Sequence, residues 1–97
     1  MFKISMILCT FDEDQYIEKT INSLFQNIEN IEVVIVDDDS NDNTREIIKN
    51  NTHKDKIILI HRKKTRGLAS AFTTAILKCK GDRIGWLDTN MSELSSK

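Results

Sequence analysis

The stretch Glu32-Val33-Val34-Ile35-Val36-Asp37-Asp38-Asp39-Ser40 decides the fold class, because a continuous apolar run leads directly into a cluster of acids. A continuous apolar run, rather than an alternating one, is typical of a strand that is buried on both faces of a parallel sheet. Three further segments share this composition. The sequence therefore predicts four short and largely buried strands, which are Lys3–Cys9, Glu32–Val36, Lys56–Ile60 and Arg83–Leu87.

Helical patterns separate the predicted strands. Apolar residues recur at spacings of three and four over residues 17–28 and again over residues 68–79, so each segment has one apolar stripe. A shorter helix is predicted over residues 43–50, with Asn41 or Asn43 as its N-cap. Strands that alternate with helices form a parallel sheet with helices on both faces, and ligands of such sheets bind beyond the carboxyl ends of the strands. The predicted fold class is therefore α/β, with the candidate site at those ends.

Composition indicates one small globular domain. The 97 residues are 39% hydrophobic and 30% charged, and the net charge of −1 offers no attraction for nucleic acid. No apolar run approaches the length of about 18 residues that a membrane helix needs. Cys9 and Cys79 have no second Cys or His nearby in sequence, so we interpret them as reduced core residues of a cytoplasmic protein. The α/β domain is predicted to cover residues 1–91, and residues 92–97 are interpreted as a disordered tail or the start of a missing half.

The acids that follow the second strand form the first candidate site. Adjacent carboxylates at the end of a buried strand repel one another and lose solvation, so folding alone should not select them. We predict that Asp37 or Asp38 accepts hydrogen bonds from a nucleobase or a ribose. The alternative is that Asp39 and Ser40 form a turn, with the polar residues after them capping the next helix.

Residues after the first and third strands are candidates for the rest of a nucleotide site. The ring of Phe11 could stack on a base while Thr10 meets its edge, although both residues also suit a helix start or the core. Arg66 and Gly67 come directly before a helix whose amino terminus offers free N–H groups, a combination that favours diphosphate binding. The alternative for this third stretch is a solvated basic loop.

The segment Asp88-Thr89-Asn90 follows the fourth strand and is the candidate metal site. Mg²⁺ and Mn²⁺ prefer oxygen ligands, and Mg²⁺ usually takes one or two carboxylates together with phosphate oxygens. Asp88 and Asn90 could therefore hold such a cation against a diphosphate. The alternative is an acid that ends a strand at a turn.

The two histidines give no catalytic assignment. His53 lies in a polar loop and is predicted to be solvated. His61 ends the third strand and could touch a ligand, but it has no visible partner in the sequence. We assign no catalytic residue.

Taken together, these stretches resemble the family-2 glycosyltransferases of the GT-A type, and the pattern is most similar to dolichol-phosphate and polyprenyl-phosphate mannose synthases. The segments that carry the resemblance are Ile4–Glu13, Val34–Thr44, Arg66–Phe72 and Gly81–Asp88. The resemblance implies a partial GT-A fold, which is a Rossmann-like three-layer sandwich. Its sheet would be mostly parallel, with about four strands in the order 3-2-1-4.

The resemblance also implies a function. Family members bind a nucleotide-diphosphate sugar, here GDP- or UDP-linked, and transfer its hexose with inversion and metal assistance to an acceptor such as polyprenyl phosphate or a glycan. The residues that the resemblance places at the donor are Thr10, Phe11 and Glu13 for the nucleoside, Asp38 or Asp37 for the base or ribose, and Asp88 for the metal and diphosphate. The expected localisation is cytoplasmic, at the membrane surface for a full-length form that uses a lipid-linked acceptor.

Three departures from the family pattern modify these expectations. Asn90 stands where the family usually has the second acid of a D-x-D motif, so metal affinity should fall. Asp39 replaces the usual glycine of the D-D-G-S turn, a position that can require left-handed backbone. The chain is also much shorter than the family's catalytic domains, so we expect no sugar transfer from it alone. An exposed edge at residues 84–87 then predicts a homodimer.

Two competing hypotheses remain. The chain could be a non-catalytic nucleotide-binding or regulatory module, which the short length and Asn90 both favour. A phospho-acceptor signalling domain would also have acids at strand ends. That class needs a lone acid after the third strand and a lysine after a fifth, whereas the third strand here ends at Ile60-His61 and no fifth is predicted.

Overall fold

The computed structural model describes residues 2–63 and 67–88, and for Leu68 and Asp88 it describes the main chain only. The predicted residues that lie outside this part of the chain are Arg66, Asn90 and the tail 92–97. Within the described residues, strands and helices alternate as predicted. The strands are β1 (Ile4–Thr10), β2 (Ile31–Asp37), β3 (Ile57–His61) and β4 (Arg83–Asp88). The helices are α1 (Ile17–Asn27), α2 (Thr44–Lys49) and α3 (Leu68–Ile76), with one 3₁₀ turn at Lys54–Lys56.

The four strands form one sheet in the order β3-β2-β1-β4, and every neighbouring pair is parallel. This confirms the predicted strand order. Thr10 lies opposite Asp37 and Asp37 lies opposite His61, while Asp88 lies opposite Cys9. The carboxyl ends of all four strands therefore meet at one edge of the sheet, as the predicted site requires.

Apolar clusters cover both faces of the sheet. Successive strand residues point to opposite faces, so Leu8 packs with α1 and α2 whereas its neighbour Ile7 packs with α3. The first cluster contains Leu8, Ile17, Ile21, Leu24, Ile31, Val33, Ile35 and Ile48. The second contains Ile7, Val34, Val36, Ala71 and Ala75. Each fully buried Leu, Ile or Val side chain contributes about 1.5–3 kcal/mol, and the two clusters confirm the predicted three layers.

Helix ends show where the local sequence determines the backbone. Gly67 precedes α3 with φ of +118°, a conformation that favours glycine over residues with a side chain. The side chain of Asn43 does not cap α2, contrary to the prediction. Asp42 caps it instead, because its Oδ1 accepts hydrogen bonds from both the N–H and the hydroxyl of Thr44. No helix in the described part of the chain is long and apolar enough to cross a membrane.

A second polar cluster lies at the opposite edge of the sheet. Glu32 of β2 is 6% exposed, and its Oε2 accepts hydrogen bonds from the Ser5 hydroxyl at 2.5 Å and from the Lys80 N–H at 2.6 Å. The N–H of Gly81 in turn donates to the Ser5 hydroxyl. These contacts attach the segment that leads into β4 to the two central strands.

Two aromatic contacts were not expected from the sequence. His53, predicted to be solvated, stacks on Phe25 with ring centroids 4.2 Å apart, because the loop before β3 folds over α1. Trp86 of β4 lies 4.9 Å from Phe72 of α3 but remains 37% exposed. Ile84, two residues earlier, is 45% exposed. Within the described residues β4 pairs only with β1, so β4 is an edge strand whose other side is exposed, as predicted.

Candidate functional site

Asp37 ends β2 and is completely buried. Its Oδ1 accepts hydrogen bonds from the hydroxyls of Thr10 and Ser40, and its Oδ2 accepts from the Ser40 N–H and from Arg45 at 2.7 Å. Burial by itself raises the pKa of Asp37, but the donors at Ser40, Thr10 and Arg45 outweigh it and lower the pKa below its ordinary value. A carboxylate has about four lone-pair sites, so these four donors saturate Asp37.

Asp38 differs from its neighbour in both exposure and partners. Its side chain is 17% exposed, and both of its oxygens accept from a single guanidinium. The Nε of Arg62 donates to Oδ1 at 2.7 Å and an Nη donates to Oδ2 at 3.0 Å. Two of the roughly four acceptor sites of a carboxylate are thereby used. Among the described residues only Arg62 bonds to this side chain, so the rest of the Asp38 carboxylate could accept hydrogen bonds from a ligand.

Asp39 adopts the left-handed conformation that its position in the turn suggested, with φ of +58°. Its Oδ1 lies 2.7 Å from Nε2 of His61 and 4.0 Å from Arg45. The hydrogen bond to His61 is the largest cause that lowers the pKa of Asp39. The position is occupied by a residue that tolerates left-handed backbone and also contacts the end of β3.

The three adjacent acids thus have cationic or basic partners, and sequence reasoning missed them. Asp37 pairs with Arg45 of α2, Asp38 with Arg62 after β3, and Asp39 with His61. These partners offset the repulsion and desolvation of the three carboxylates, so folding alone can accommodate them, contrary to the prediction. The partners come from elements that are separate in sequence, so their spacing gave no signal. The predicted strand order did hold a signal, because it places β3 beside β2 and so brings the basic residues at the end of β3 next to the acids.

Residues after β1 line the same edge. The hydroxyl of Thr10 is directed to Asp37, and its carbonyl oxygen accepts from the Asp38 N–H. Phe11 is 44% exposed at the surface of the edge. Glu13 is partly buried, and its main chain anchors the start of α1 by accepting from the N–H groups of Tyr16 and Ile17. The predicted nucleoside residues lie together, with Phe11 presenting the exposed ring.

Side-chain hydrogen bonds join the loop after β1 to the loop after β2. The N–H of Asp12 donates to the hydroxyl of Ser40, and Oδ1 of Asp12 accepts from the N–H of Asn41 at 2.7 Å. The N–H of Asp14 donates to Asp42, and the N–H of Glu13 donates to the hydroxyl of Thr44. Asp12 has φ of +52°, which brings both of its groups to the other loop. These contacts fix the two loops that flank Asp37 and Asp38.

The start of α3 faces the same edge through Arg62. The carbonyl oxygen of Gly67 accepts from Arg62 at 3.3 Å, and the hydroxyl of Ser70 accepts from Arg62 at 2.8 Å. Gly67, predicted to approach a diphosphate, therefore lies near Asp38 through one shared side chain. Arg66, predicted as the diphosphate cation, lies outside the described residues.

The metal prediction concerns residues that the structure describes only in part. Asp88 ends β4 opposite Cys9, so its main chain lies at the site edge beside Thr10. Among residues 2–63 and 67–88, no group of three His, Cys, Asp or Glu side chains could hold a metal ion.

Comparison with known proteins agrees with this geometry. An uncharacterized glycosyltransferase of Haemophilus influenzae is 36% identical over 89 residues, which cover 90% of this chain and 36% of the relative. A dolichol-phosphate mannosyltransferase of Pyrococcus furiosus is 31% identical over 91 residues, which cover 92% of this chain and 26% of the relative. The chain thus spans about a quarter to a third of the length of these relatives.

A solved structure has the same fold over most of the chain. Mannosyltransferase PcManGT from Pyrobaculum calidifontis, in complex with GDP-Man and Mn²⁺, superposes with a TM-score of 0.81 and 26% identity. The match covers 91% of this chain and 27% of that one. The family description "Glycosyl transferase family 2" matches residues 5–89, from β1 to the end of β4 and therefore across every loop of the candidate site. The chain belongs to glycosyl transferase family 2.

Proposed function

We propose that this chain binds a nucleoside diphosphate sugar at the carboxyl edge of its sheet, as the donor for hexosyl transfer. The observation that supports this proposal is the difference between the two adjacent acids. Asp37 is buried and saturated, whereas Asp38 is 17% exposed and, among the described residues, bonds only to Arg62. A carboxylate in that position can accept hydrogen bonds from a ribose hydroxyl or a base N–H. We therefore assign the base or ribose contact to Asp38 and a structural role to Asp37.

The rest of the donor would extend along the edge. Phe11 is proposed to pack against the base or ribose, beside Thr10 and Glu13, whose main chains shape that side of the site. Arg66 and Gly67 are proposed to meet the diphosphate, where the first N–H groups of α3 add a positive end to the site. The GDP-Man complex of the Pyrobaculum calidifontis mannosyltransferase, which shares the fold, supports a nucleotide sugar as the ligand class.

A divalent cation, Mg²⁺ or Mn²⁺, is proposed to bind with the donor at Asp88 and Asn90. When bound, it would neutralise charge on the nucleoside diphosphate that departs. Asn90 supplies an oxygen without a charge, so the chain holds the cation less tightly than two carboxylates would. The protein residues would bind and orient the donor, and we propose no general base among them.

The acceptor and the stereochemistry are proposed from the family. We propose inverting transfer to a polyprenyl phosphate or a glycan, and the 31% identity to a dolichol-phosphate mannosyltransferase supports the lipid-linked acceptor. For the 97 residues themselves we propose donor binding only. The alternative is a nucleotide-binding or regulatory module that does not catalyse transfer, which Asn90 favours because it weakens the metal site.

Isothermal titration of the chain with UDP and GDP, each with and without Mn²⁺, tests the proposal. We expect one nucleotide to bind, more tightly with Mn²⁺, and we expect Asp38→Asn to weaken it at least about tenfold, roughly 1.4 kcal/mol. Asp55→Asn is the matched control, because Asp55 is exposed and lies in the 3₁₀ turn before β3, away from this edge. A folded chain that binds neither nucleotide would overturn the proposal.

A further inference from the structure

Arg62 connects two parts of the candidate site that belong to different elements. It is only 9% exposed, and its N–H extends the pairing with β2 by donating to the carbonyl oxygen of Asp37 at 2.9 Å. With the described residues the guanidinium makes four hydrogen bonds, two to Asp38, one to the carbonyl oxygen of Gly67 and one to the hydroxyl of Ser70. One side chain thus holds the end of β2 against the start of α3.

We infer that Arg62 is a positioning residue of the nucleotide site, which sets the orientation of the Asp38 carboxylate and its distance from the start of α3. The inference rests on the proposed function, since it assigns Arg62 a role in the affinity of that same site. Arg62 acts through Asp38 and need not touch the ligand. The proposed nucleoside contact at Asp38 and the proposed diphosphate contact at the start of α3 would therefore be held at a fixed separation.

Two nitrogens of the Arg62 guanidinium donate to the two oxygens of Asp38, a bidentate arrangement called the fork below. Its geometry explains why arginine occupies this position. A planar guanidinium that bonds both oxygens of a carboxylate fixes the carboxylate plane, which a single ammonium cannot do. With the plane fixed, the acceptor sites of Asp38 that Arg62 does not use also have a fixed direction. The other edge of the same guanidinium reaches Ser70 and Gly67, so a shift of α3 would also rotate Asp38.

The role predicts a specific pattern of coupling in nucleotide affinity. Arg62→Lys keeps the positive charge but loses the fork, and we expect it to weaken the binding of UDP or GDP with Mn²⁺ by about tenfold. In an Asp38→Asn background the same substitution should have little further effect, because the carboxylate that Arg62 orients is already gone. A double-mutant cycle of dissociation constants by isothermal titration measures this coupling.

Controls separate the role from mere stabilisation. Thermal unfolding of each variant establishes that it is folded at the titration temperature. Should Arg62→Lys not fold, Ser70→Ala takes its place, since it loosens Arg62 and leaves the fork to Asp38 intact. We expect Ser70→Ala to weaken nucleotide binding a few-fold, again only when Asp38 is present.

Each outcome bears on the inference. Loss of affinity that disappears in the Asp38→Asn background supports it. An unchanged affinity for a folded Arg62→Lys overturns it while the wild-type chain still binds nucleotide, and so leaves the proposed function standing. An equal loss in both backgrounds also overturns it, because Arg62 would then act independently of Asp38. A wild-type chain that binds neither nucleotide refutes the proposed function, and this inference with it.

Discussion

Replacement of Asp37 by asparagine is expected to destabilise the fold severely, because Asp37 is completely buried and all its acceptor sites are used. Asparagine keeps one carbonyl oxygen, which can still accept from Thr10 and from the Ser40 hydroxyl. Its NH₂ group would replace the oxygen that accepts from the Ser40 N–H and from Arg45, so donors would face donors. The partly exposed charge of Arg45 would also lose its carboxylate partner at 2.7 Å.

The expected magnitude follows from these losses. Removing one member of a buried ion pair costs about 3–5 kcal/mol, and a hydrogen bond to a charged group contributes about 1.5–3 kcal/mol. Because Arg45 is partly exposed and can be solvated, we expect about 3 kcal/mol. Small domains have a total stability of about 5–15 kcal/mol. The variant should therefore melt on the order of 15 °C lower, at roughly 4–8 °C per kcal/mol for a domain of this size.

Urea unfolding followed by the fluorescence of Trp86, the single tryptophan, measures the change. The transition midpoint should fall while the m-value stays constant. Because the pKa of Asp37 is lower in the folded than in the unfolded chain, its stabilisation is complete above about pH 4, near the ordinary pKa of aspartate, and is lost as pH falls through the folded pKa. The gap between wild type and variant should therefore narrow in acid.

Asp55→Asn is the matched control, since an exposed substitution of this kind changes stability by no more than about 0.5 kcal/mol. If Asp37→Asn costs no more than this control, the saturated carboxylate does not stabilise the fold and its assignment as a structural residue is wrong. If the difference in unfolding free energy between wild type and Asp37→Asn increases in acid, the lowered pKa of Asp37 is refuted separately.

Four further substitutions test other parts of the molecule. Asn90→Asp should strengthen the Mn²⁺ dependence of nucleotide binding several-fold in titration, and an unchanged dependence would exclude position 90 as a ligand. Gly81→Ala should cost about 2 kcal/mol in urea unfolding, because its methyl group would lie 2.7 Å from a backbone oxygen. Gly85→Ala should cost less, since it meets only the flexible end of Met6, and equal costs would contradict this reasoning. Ile84→Lys should dissociate the proposed homodimer in sedimentation equilibrium, and a monomeric wild type would refute that dimer.

The fold followed from the sequence because its signals are local and repeated. Continuous apolar runs predicted β1 to β4, and stripes at spacings of three and four predicted α1 and α3. Each boundary is within two residues of the prediction for the strands. The errors concern single side chains. His53 stacks on Phe25, and Asp42 rather than an asparagine caps α2, because both contacts depend on how neighbouring loops fold over a helix.

The site was harder to predict, because it depends on contacts between segments that are distant in sequence. Placement at the carboxyl edge followed from the parallel topology alone. The partners of the acids did not, since Arg45 and Arg62 are 8 and 24 residues from the acids that they bind. The hydrogen bonds between the loops after β1 and β2 span 28 to 31 residues. No spacing rule in the sequence connects such groups.

The choice between Asp37 and Asp38 nevertheless has a simple physical origin in the pleat of β2. Val33 and Ile35 face α1 and α2, whereas Val34 and Val36 face α3. Asp37 continues the first series and pairs with Arg45 of α2. Asp38 continues the second, and the guanidinium that it binds also contacts the start of α3.

The faces themselves follow from the direction of the crossovers. Connections between parallel strands are right-handed, so α1 and α2, which lead from β1 to β2 and from β2 to β3, lie on one side of the sheet. The chain then returns past β1 to β4, and α3 must lie on the other side. The strand order reverses between β1 and β4, which is where such sheets bind ligands. Asp38 alternates with Val34 and Val36, so it lies on the face of the sheet that α3 covers, whereas Asp37 lies on the other face. The strand order together with alternation along β2 therefore places Asp38 on the α3 side of the sheet, which supports Asp38 rather than Asp37 as the proposed nucleotide contact.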